Sequence, residues 1–477
     1  MLYININRDS GRALSDQIYQ YIKESIFRGS LQAREKLPSS RELARFLNVS
    51  RNVVIESYEQ LMAEGYIYSK NGSGTFVCEG LAFCRDESVK RSTQTQARVT
   101  LPKIQISFRT GIPDLTQIPV KKWAHIYQQT ALDIDPSQLD YQDALGDCSL
   151  RTQLSCYLER ARGVHTSAEN IMITNGAAQS FQLLCQFMNA HEYALVENPL
   201  SYGLLHTLES NHVRMKAISL DAYGMQTDRL PDAPPKLVFT TPSHQFPTGV
   251  VLPAGRRIEL IRYAAENDIY IVEDDYDSEF RFNGSPIQSM QYLDPEHVIY
   301  VGTFSKTLMP ALRIGYMVLP SALRAQLREE KYVCDINSPV LEQKTLAEFL
   351  KGGHFEQHIR RMRKLYLKKR NCLITCLDQY FGDRVTISGA EAGLHFVATF
   401  RGAKFDREQM AAIRNEGLEI APMRKYCLSE ESERKYENTL IFGYGNTPIE
   451  SMEAGVKCLA GQIKLNQDRI DFCTAAK

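Results

Sequence analysis

The sequence predicts an α/β protein in two parts: a short helical front domain ending in a hairpin, and a large body built on a mostly parallel sheet. Three observations carry that prediction. The character of the chain changes near residue 80, from short helical patterns to strands alternating with longer amphipathic stretches. In the second part, runs such as Leu237 to Thr240, Ile269 to Val272 and Val298 to Val301 are apolar at nearly every position, as strands covered on both faces must be. The 477 residues, 43% hydrophobic and 23% charged, suffice to bury more than one core.

Charge and cysteine content exclude several classes. Lys+Arg and Asp+Glu both number 56, so no global field draws the chain to nucleic acid or membrane, and any basic surface is local. The first residues carry no apolar leader core, and no stretch approaches the roughly 18 to 20 apolar residues of a membrane span; a cytoplasmic protein without membrane contact is expected. Eleven cysteines are scattered along the chain, and the closest pairs lack a matching second pair or nearby histidines. Reduced thiols are expected rather than a metal site.

In the front domain, Leu14, Ile18, Ile22 and Ile26 recur four apart as the core stripe of a first helix ending near Arg28-Gly29. Ser39 three residues before Glu42 reads as a capping box, and Leu43, Ala44 and Leu47 follow as a short second helix. Asn48-Val49 makes the turn. Ser50 is placed to cap a third helix from Arg51 to Glu64, with Val54, Tyr58, Leu61 and Met62 inward and Arg51, Asn52, Ile55, Glu56 and Glu59 outward. Tyr66 to Ser69 and Thr75 to Val77 then flank Lys70-Asn71-Gly72-Ser73-Gly74, a hairpin with glycine at its tip.

This is the pattern of a winged helix-turn-helix, which places the second helix of the pair in the major groove of double-stranded DNA. Protein-binding winged helices and dimerisation modules share it. Charge favours DNA: residues 1–80 hold 10 basic and 9 acidic residues, yet residues 34–51 hold 5 and 2. Arg41, Ser50, Arg51 and Asn52 are the candidate DNA contacts, with Gly72 and Gly74 in the wing.

The first domain is taken as residues 1–78, a linker as 79–102 and the body as 103–477. Residues 86–100 are poor in apolar side chains and rich in Ser, Thr, Gln, Arg and Lys, too polar to fold alone.

Three segments of the body combine into one chemistry. After the strand ending at Gly302 come Thr303, Ser305 and Lys306, with Arg313 seven residues beyond the lysine. The lysine can form a Schiff base with an aldehyde, while the hydroxyls and guanidinium can hold a phosphate dianion. Asp274-Asp275-Tyr276-Asp277 follows another strand, at the edge where open α/β sheets bind ligands. A carboxylate there, Asp274, would keep a pyridine nitrogen protonated, and Tyr276 would meet a phenolic oxygen. Gly176, Ala177 and Ala178 form a small-residue turn at a helix start, whose N–H groups would complete the phosphate site. Together they describe a site for pyridoxal 5'-phosphate.

The stretch LPSSRELARFLNVSRNVVIESYEQLMAEGYIYSKNGSGTFV (residues 37–77) resembles the GntR-type winged helix. TTPSHQFPTG (240–249), IVEDDYDSEF (271–280), YVGTFSKTLMPALRIGYMVLP (300–320) and AGLHFV (392–397) resemble a fold-type I aminotransferase domain. The whole chain is thereby similar to the MocR/GabR family of transcriptional regulators. That resemblance implies a head-to-tail homodimer that binds operator DNA and senses a small amino compound, or the cofactor itself, without net turnover.

Departures from the pattern bear on the ligand. The family's ring-stacking aromatic falls at Ser201, with Tyr202 next to it as the candidate stacking residue; one effector-binding arginine falls at Gly203, and the other is Arg424. Ala178 replaces a glutamine, and Phe246 an asparagine usual in free aminotransferases. A working aminotransferase with an accessory DNA-binding domain, and a cofactor-free sensor, remain alternatives on sequence.

Overall fold

The computed structural model describes Ile4 and residues 6–8, 10–80, 104–284 and 287–463. The chain divides into two compact units, Met1–Thr100 and Leu101–Lys477. Most of the expected linker lies outside the described residues.

In the first unit, α1 (Leu14–Phe27), α2 (Ser40–Leu47) and α3 (Arg51–Ala63) pack around Ile18, Ile22, Ile26, Leu43, Val54, Tyr58 and Leu61. Of the stripe read from the sequence, Ile18, Ile22 and Ile26 enter this core, whereas Leu14 is half buried, as is Ile55, expected outside. The capping box forms: Glu42 N–H donates to Ser39 Oγ at 3.3 Å and Ser39 N–H to Glu42 Oε2 at 2.9 Å. Asn48 ends α2 in the left-handed region at φ 52°, which turns the chain into α3. Ser50 stands at the start of α3 with extended backbone, but its exposed hydroxyl makes no capping hydrogen bond. The hairpin pairs β2 (Ile67–Lys70) with β3 (Gly74–Val77), and a two-residue strand, β1 (Lys36–Leu37), adds to the far side of β3.

The second unit carries an eight-stranded sheet in the order Ile171–Thr174, Gly315–Val318, Val298–Thr303, Tyr270–Asp275, Leu237–Thr240, Tyr193–Asn198, Arg214–Asp221, Gly224–Met225. Pairing is parallel through the middle of the sheet, and Gly315–Val318 and Gly224–Met225 run antiparallel to their neighbours. Strand periodicity sorts the apolar runs onto two faces. Val272, Ile299, Val301, Phe239 and Met317 enter one core; Ile271, Val298 and Val238 enter a second, and Tyr300, Tyr316 and Val318 a third on that opposite side.

A second sheet was not anticipated. Val385–Ser388, His395–Phe400, Thr439–Gly443 and Ala421–Pro422 form a four-stranded antiparallel sheet, covered by helices His354–Phe381 and Ile449–Gln462 around Phe396, Phe400 and Phe442. The start of the body joins this part, because Ile106–Ser107 pairs in parallel with Leu418–Glu419. Phe108 N–H then donates to Glu419 O at 2.7 Å, and Gly443 N–H to Phe108 O at 2.9 Å.

Candidate cofactor site and nucleic-acid interface

A cavity of about 340 Å³ opens where the strands end, lined by residues from both sheets and from the body's first segment. Lys306 enters from the loop after Val298–Thr303, and its Nζ donates to Gly111 O at 2.6 Å. The approach is close: a side chain at Gly111, whose φ is +71°, would meet Nζ at 2.9 Å. Burial lowers the Lys306 amine below the usual lysine range and the Arg109 and Arg313 charges add to this, against the pull of Asp277 and Asp274.

Thr303, Ser305 and Arg313 line one end with Ala177 and Ala178. Thr303 Oγ1 donates to Ser305 Oγ at 3.1 Å, and Arg313 Nη2 donates to Asn175 O at 2.6 Å. Gly176, at φ +83°, is the N-cap of helix Ala177–Phe187, and a Cβ there would reach Arg313 Nη2 at 2.7 Å. Only glycine lets the guanidinium lie against the helix start, where the first N–H groups have no intrahelical acceptor. Two hydroxyls, a guanidinium and a helix N-terminus converging on one pocket end match the needs of a phosphate dianion.

Asp274 lines the same cavity. Strand alternation separates it from its neighbour: Asp275 is buried in an ion pair with Arg162 at 2.6 Å and accepts Tyr300 Oη at 2.5 Å, whereas Asp274 faces the cavity. Among the described residues, the Asp274 carboxylate has no hydrogen bond or ion pair, although its backbone pairs with Val301 in the sheet. Burial, then the charges of Asp275, Asp277 and Glu197, push its carboxyl up to about 7. An orphaned carboxylate of this kind fits a protonated ring nitrogen. The donor set therefore fits both the phosphate and the ring nitrogen of pyridoxal phosphate.

Asp277 is buried and accepts from His244 Nδ1 at 3.0 Å and from Leu394 N–H at 3.1 Å. Burial opposes charge on His244, but Asp277's charge and hydrogen bond win and raise it; His395, 4.8 Å away between ring centroids, is held well below its ordinary value by burial and then by His244. Tyr276 lines the cavity, with Oη donating to His244 O at 3.0 Å. Phe246 packs against Tyr276, His395 and Tyr426 to form the aromatic wall.

In the front unit, Arg41, Ser50, Arg51, Asn52, Gly72 and Gly74 are all exposed. Arg51 Nε donates to Ser40 Oγ at 3.3 Å, which ties the start of α3 to the start of α2 beside Arg41. Gly74, at φ +119°, leaves room for Lys36, whose Cε lies 2.7 Å from where a Cβ would stand.

Residues 14–77 match the family model for bacterial regulatory proteins of the gntR family, and residues 103–432 match that for aminotransferase class I and II. The chain is 30% identical to the probable rhizopine catabolism regulatory protein MocR of Rhizobium meliloti, over 95% of this chain and 94% of that protein. The chain belongs to the MocR-type transcriptional regulators. It is also 34% identical to the HTH-type transcriptional regulator YdeL of Bacillus subtilis, over 96% of this chain and 99% of that one. The body is similar to kynurenine aminotransferase from Pyrococcus horikoshii, solved in complex with PMP, at a TM-score of 0.69 and 26% identity over 76% of this chain and 90% of that one. The winged helix is accordingly the DNA-binding part of a MocR-type regulator.

The cavity of this MocR-type chain brings together Lys306, Asp274, Tyr276, Thr303, Ser305, Arg313, Ala177 and Ala178, with Gly176 directly behind the arginine. It does not include Tyr202 or Arg424. Ser201 lines the cavity instead; its side chain accepts Leu204 N–H at 3.3 Å to cap the next helix, and Tyr202, the first helical residue, is half exposed beneath Lys425. Arg424 Nη2 meets Glu433 Oε2 at 3.0 Å. Sequence reading missed Thr110, Gly111, Asp277, Leu394 and His395 as site residues. Their signal lay in the matched segments: TTPSHQFPTG, IVEDDYDSEF and AGLHFV meet at the His244–Asp277–His395 cluster.

Proposed function

We propose that this regulator holds pyridoxal 5'-phosphate through Lys306, and that a small amino compound entering the same cavity changes how its winged helices engage operator DNA in the cytoplasm. Asp274 carries the reading: a carboxylate whose side chain has no partner among the described residues, lining the same cavity as the phosphate-binding residues Thr303, Ser305 and Arg313 and the Lys306 amine of lowered basicity. When bound, the cofactor supplies an aldehyde that joins reversibly to amines. Lys306 supplies the resident amine, Gly111 O steers its Nζ, and burial lowers its basicity below the usual lysine range. Thr303, Ser305, Arg313 and the helix start bind and orient the phosphate. Asp274 holds a proton on the ring nitrogen, and Phe246 and Leu394 exclude water from one wall.

A homodimer belongs to the same proposal, with the head-to-tail arrangement that the family resemblance implies. Helix Val120–Asp133 has no buried residue, and Leu132, Tyr141 and Val333 are more than 70% exposed, a large apolar area that a second copy would cover. No helix among the described residues is long and apolar enough to cross a membrane.

Borohydride reduction of the cofactor-loaded protein followed by peptide mass mapping tests the central claim. The reduced adduct is expected on Lys306, and a label on another lysine refutes the assignment. Lys306→Ala is expected to lose the adduct and retain DNA binding. Steady-state assays with amino donors and keto acids are expected to show no sustained turnover; turnover would favour an active aminotransferase.

A further inference from the structure

We propose that the body makes its own contact with duplex DNA: an unpaired row of cations on helix His354–Phe381 holds phosphates of the DNA flanking the operator.

Between Glu356 and Asp378 the chain carries seven Lys and Arg and no Asp or Glu, within a body, residues 103–477, that holds 42 basic and 45 acidic residues. The helix sorts the seven by face. Met362, Tyr366, Leu373 and Leu377 are buried in the core beneath it. Three of the cations are engaged within the fold. Lys369, buried, donates to Asp114 Oδ2 and to Gly445 O, both at 2.7 Å. Arg370 donates to Ala390 O at 2.9 Å and lies over the Phe282 ring, and Arg361 donates to Gln117 O. The other four, Arg360, Arg363, Lys364 and Lys368, have no side-chain hydrogen bond or ion pair among the described residues. Arg363 is half buried and the other three are exposed. Glu356, one turn before Arg360, is already paired with Arg160 at 2.8 Å.

Arg360, Lys364 and Lys368 recur four apart, so they stand in a row along the solvent face over about 12 Å of helix axis. Gln357, Asn371 and Thr375 continue the row and are also exposed. Lys364 therefore has a like charge one turn before it and another one turn after, an arrangement that repels and gives the helix no support. A polyanion relieves that repulsion. One strand of a duplex presents three to four phosphates over about 12 Å, and neutralising them releases condensed counterions. No aromatic or aliphatic side chain stands in the row to anchor a protein interface. The chain is a DNA-binding regulator, so once its winged helix is on the operator, flanking duplex is the polyanion at the highest effective concentration around the body.

The test uses the full-length protein and an operator that it selects from random duplex, prepared in two lengths. One ends at the half-sites; the other extends about 20 base pairs further on each side, two more helical turns. The wild type is expected to bind the long duplex about 10- to 100-fold more tightly at low salt, with a salt slope steeper by about two to three. Arg360→Gln, Lys364→Gln and Lys368→Gln combined are expected to abolish both differences and to leave the short duplex within about twofold. Lys364→Arg with Lys368→Arg keeps the charges and should retain them. Arg214→Gln, Lys216→Gln and Arg229→Gln combined remove the same net charge from exposed positions on and after another strand, and should also retain them. An unchanged thermal midpoint in the helix variant shows that the fold survives.

Equal affinity for the two lengths in the wild type, a length dependence that survives the helix variant, or a loss that is the same for both lengths overturns the proposal. A length dependence lost equally in the Arg214, Lys216 and Arg229 variant does so too, by assigning the effect to net charge. A helix variant that binds both duplexes as the wild type does, yet changes oligomeric state or fails to regulate transcription by purified polymerase, assigns the row to a second copy or to another protein and overturns the DNA contact.

Discussion

Asp274 and Asp275 are adjacent in sequence and opposite in circumstance. Asp275 is neutralised by Arg162, whereas Asp274 carries a carboxyl pushed up to about 7 by burial and like charges. An acid whose folded value lies above its unfolded one binds protons on folding, so its stability contribution falls as pH rises from about 4 to about 7. Without cofactor, Asp274→Asn is therefore expected to gain on the order of 1 kcal/mol at pH 7.5 and little at pH 4.5, while its cofactor affinity falls. Urea titrations at the two pH values check the first part; an equal effect at both removes the titration argument. Gly393, at φ +75°, touches the buried pair directly, since a Cβ would lie 2.2 Å from His244 Cε1 and 2.3 Å from Asp277 Oδ2. Gly393→Ala should cost about 2 kcal/mol or more and lower the thermal midpoint. Strand alternation lets only one of Asp274 and Asp275 face the cavity, and it is Asp274 that does. The Asp277–His244 pair was not legible, because its partners are 33 residues apart in sequence and only the fold brings their two segments together.

At the scale of elements, the front domain was legible nearly throughout. Its helices bury a stripe, its caps have a fixed spacing, and its hairpin has a glycine tip, all local signals. β1 escaped because two residues before a proline carry no periodicity; it is recognised only by pairing with β3. The four-stranded sheet escaped for a related reason: apart from the close pair Val385–Ser388 and His395–Phe400, its antiparallel partners lie well apart in sequence with helices and loops between them and leave no short-range mark. The exposed start of α3 bears directly on DNA binding. Arg51→Ala and Arg41→Ala are each expected to weaken operator binding. If the contact is to phosphate, the loss is uniform across sequences and the salt slope drops by about one; if it is to a base, one operator position relaxes at a cost of about 1–3 kcal/mol. Binding isotherms at several salt concentrations distinguish these outcomes, and no change in either variant removes the proposed docking. Gly74→Ala should displace Lys36 from the wing and reduce affinity without altering the absorbance of the body's cofactor.

For the whole molecule, the proposed dimer sets the geometry on DNA, since two winged helices read half-sites whose spacing must suit their own, near multiples of about 34 Å. Sedimentation is expected to show a dimer at micromolar concentration, and charged substitutions at Leu132 and Val333 are expected to yield monomers with weakened operator binding. A monomeric wild type would leave those side chains without the partner proposed for them. The strand Ile106–Ser107 has a consequence for how a signal leaves the cavity. It is stitched to Leu418–Glu419 and held again by Thr447 Oγ1 on Ser107 O at 2.7 Å, so the first residues of the body travel as cargo of its C-terminal part. Any closure of that part over an occupied cavity therefore carries Ile106 and Ser107, and the cavity residues Thr110 and Gly111 that follow them, along with it.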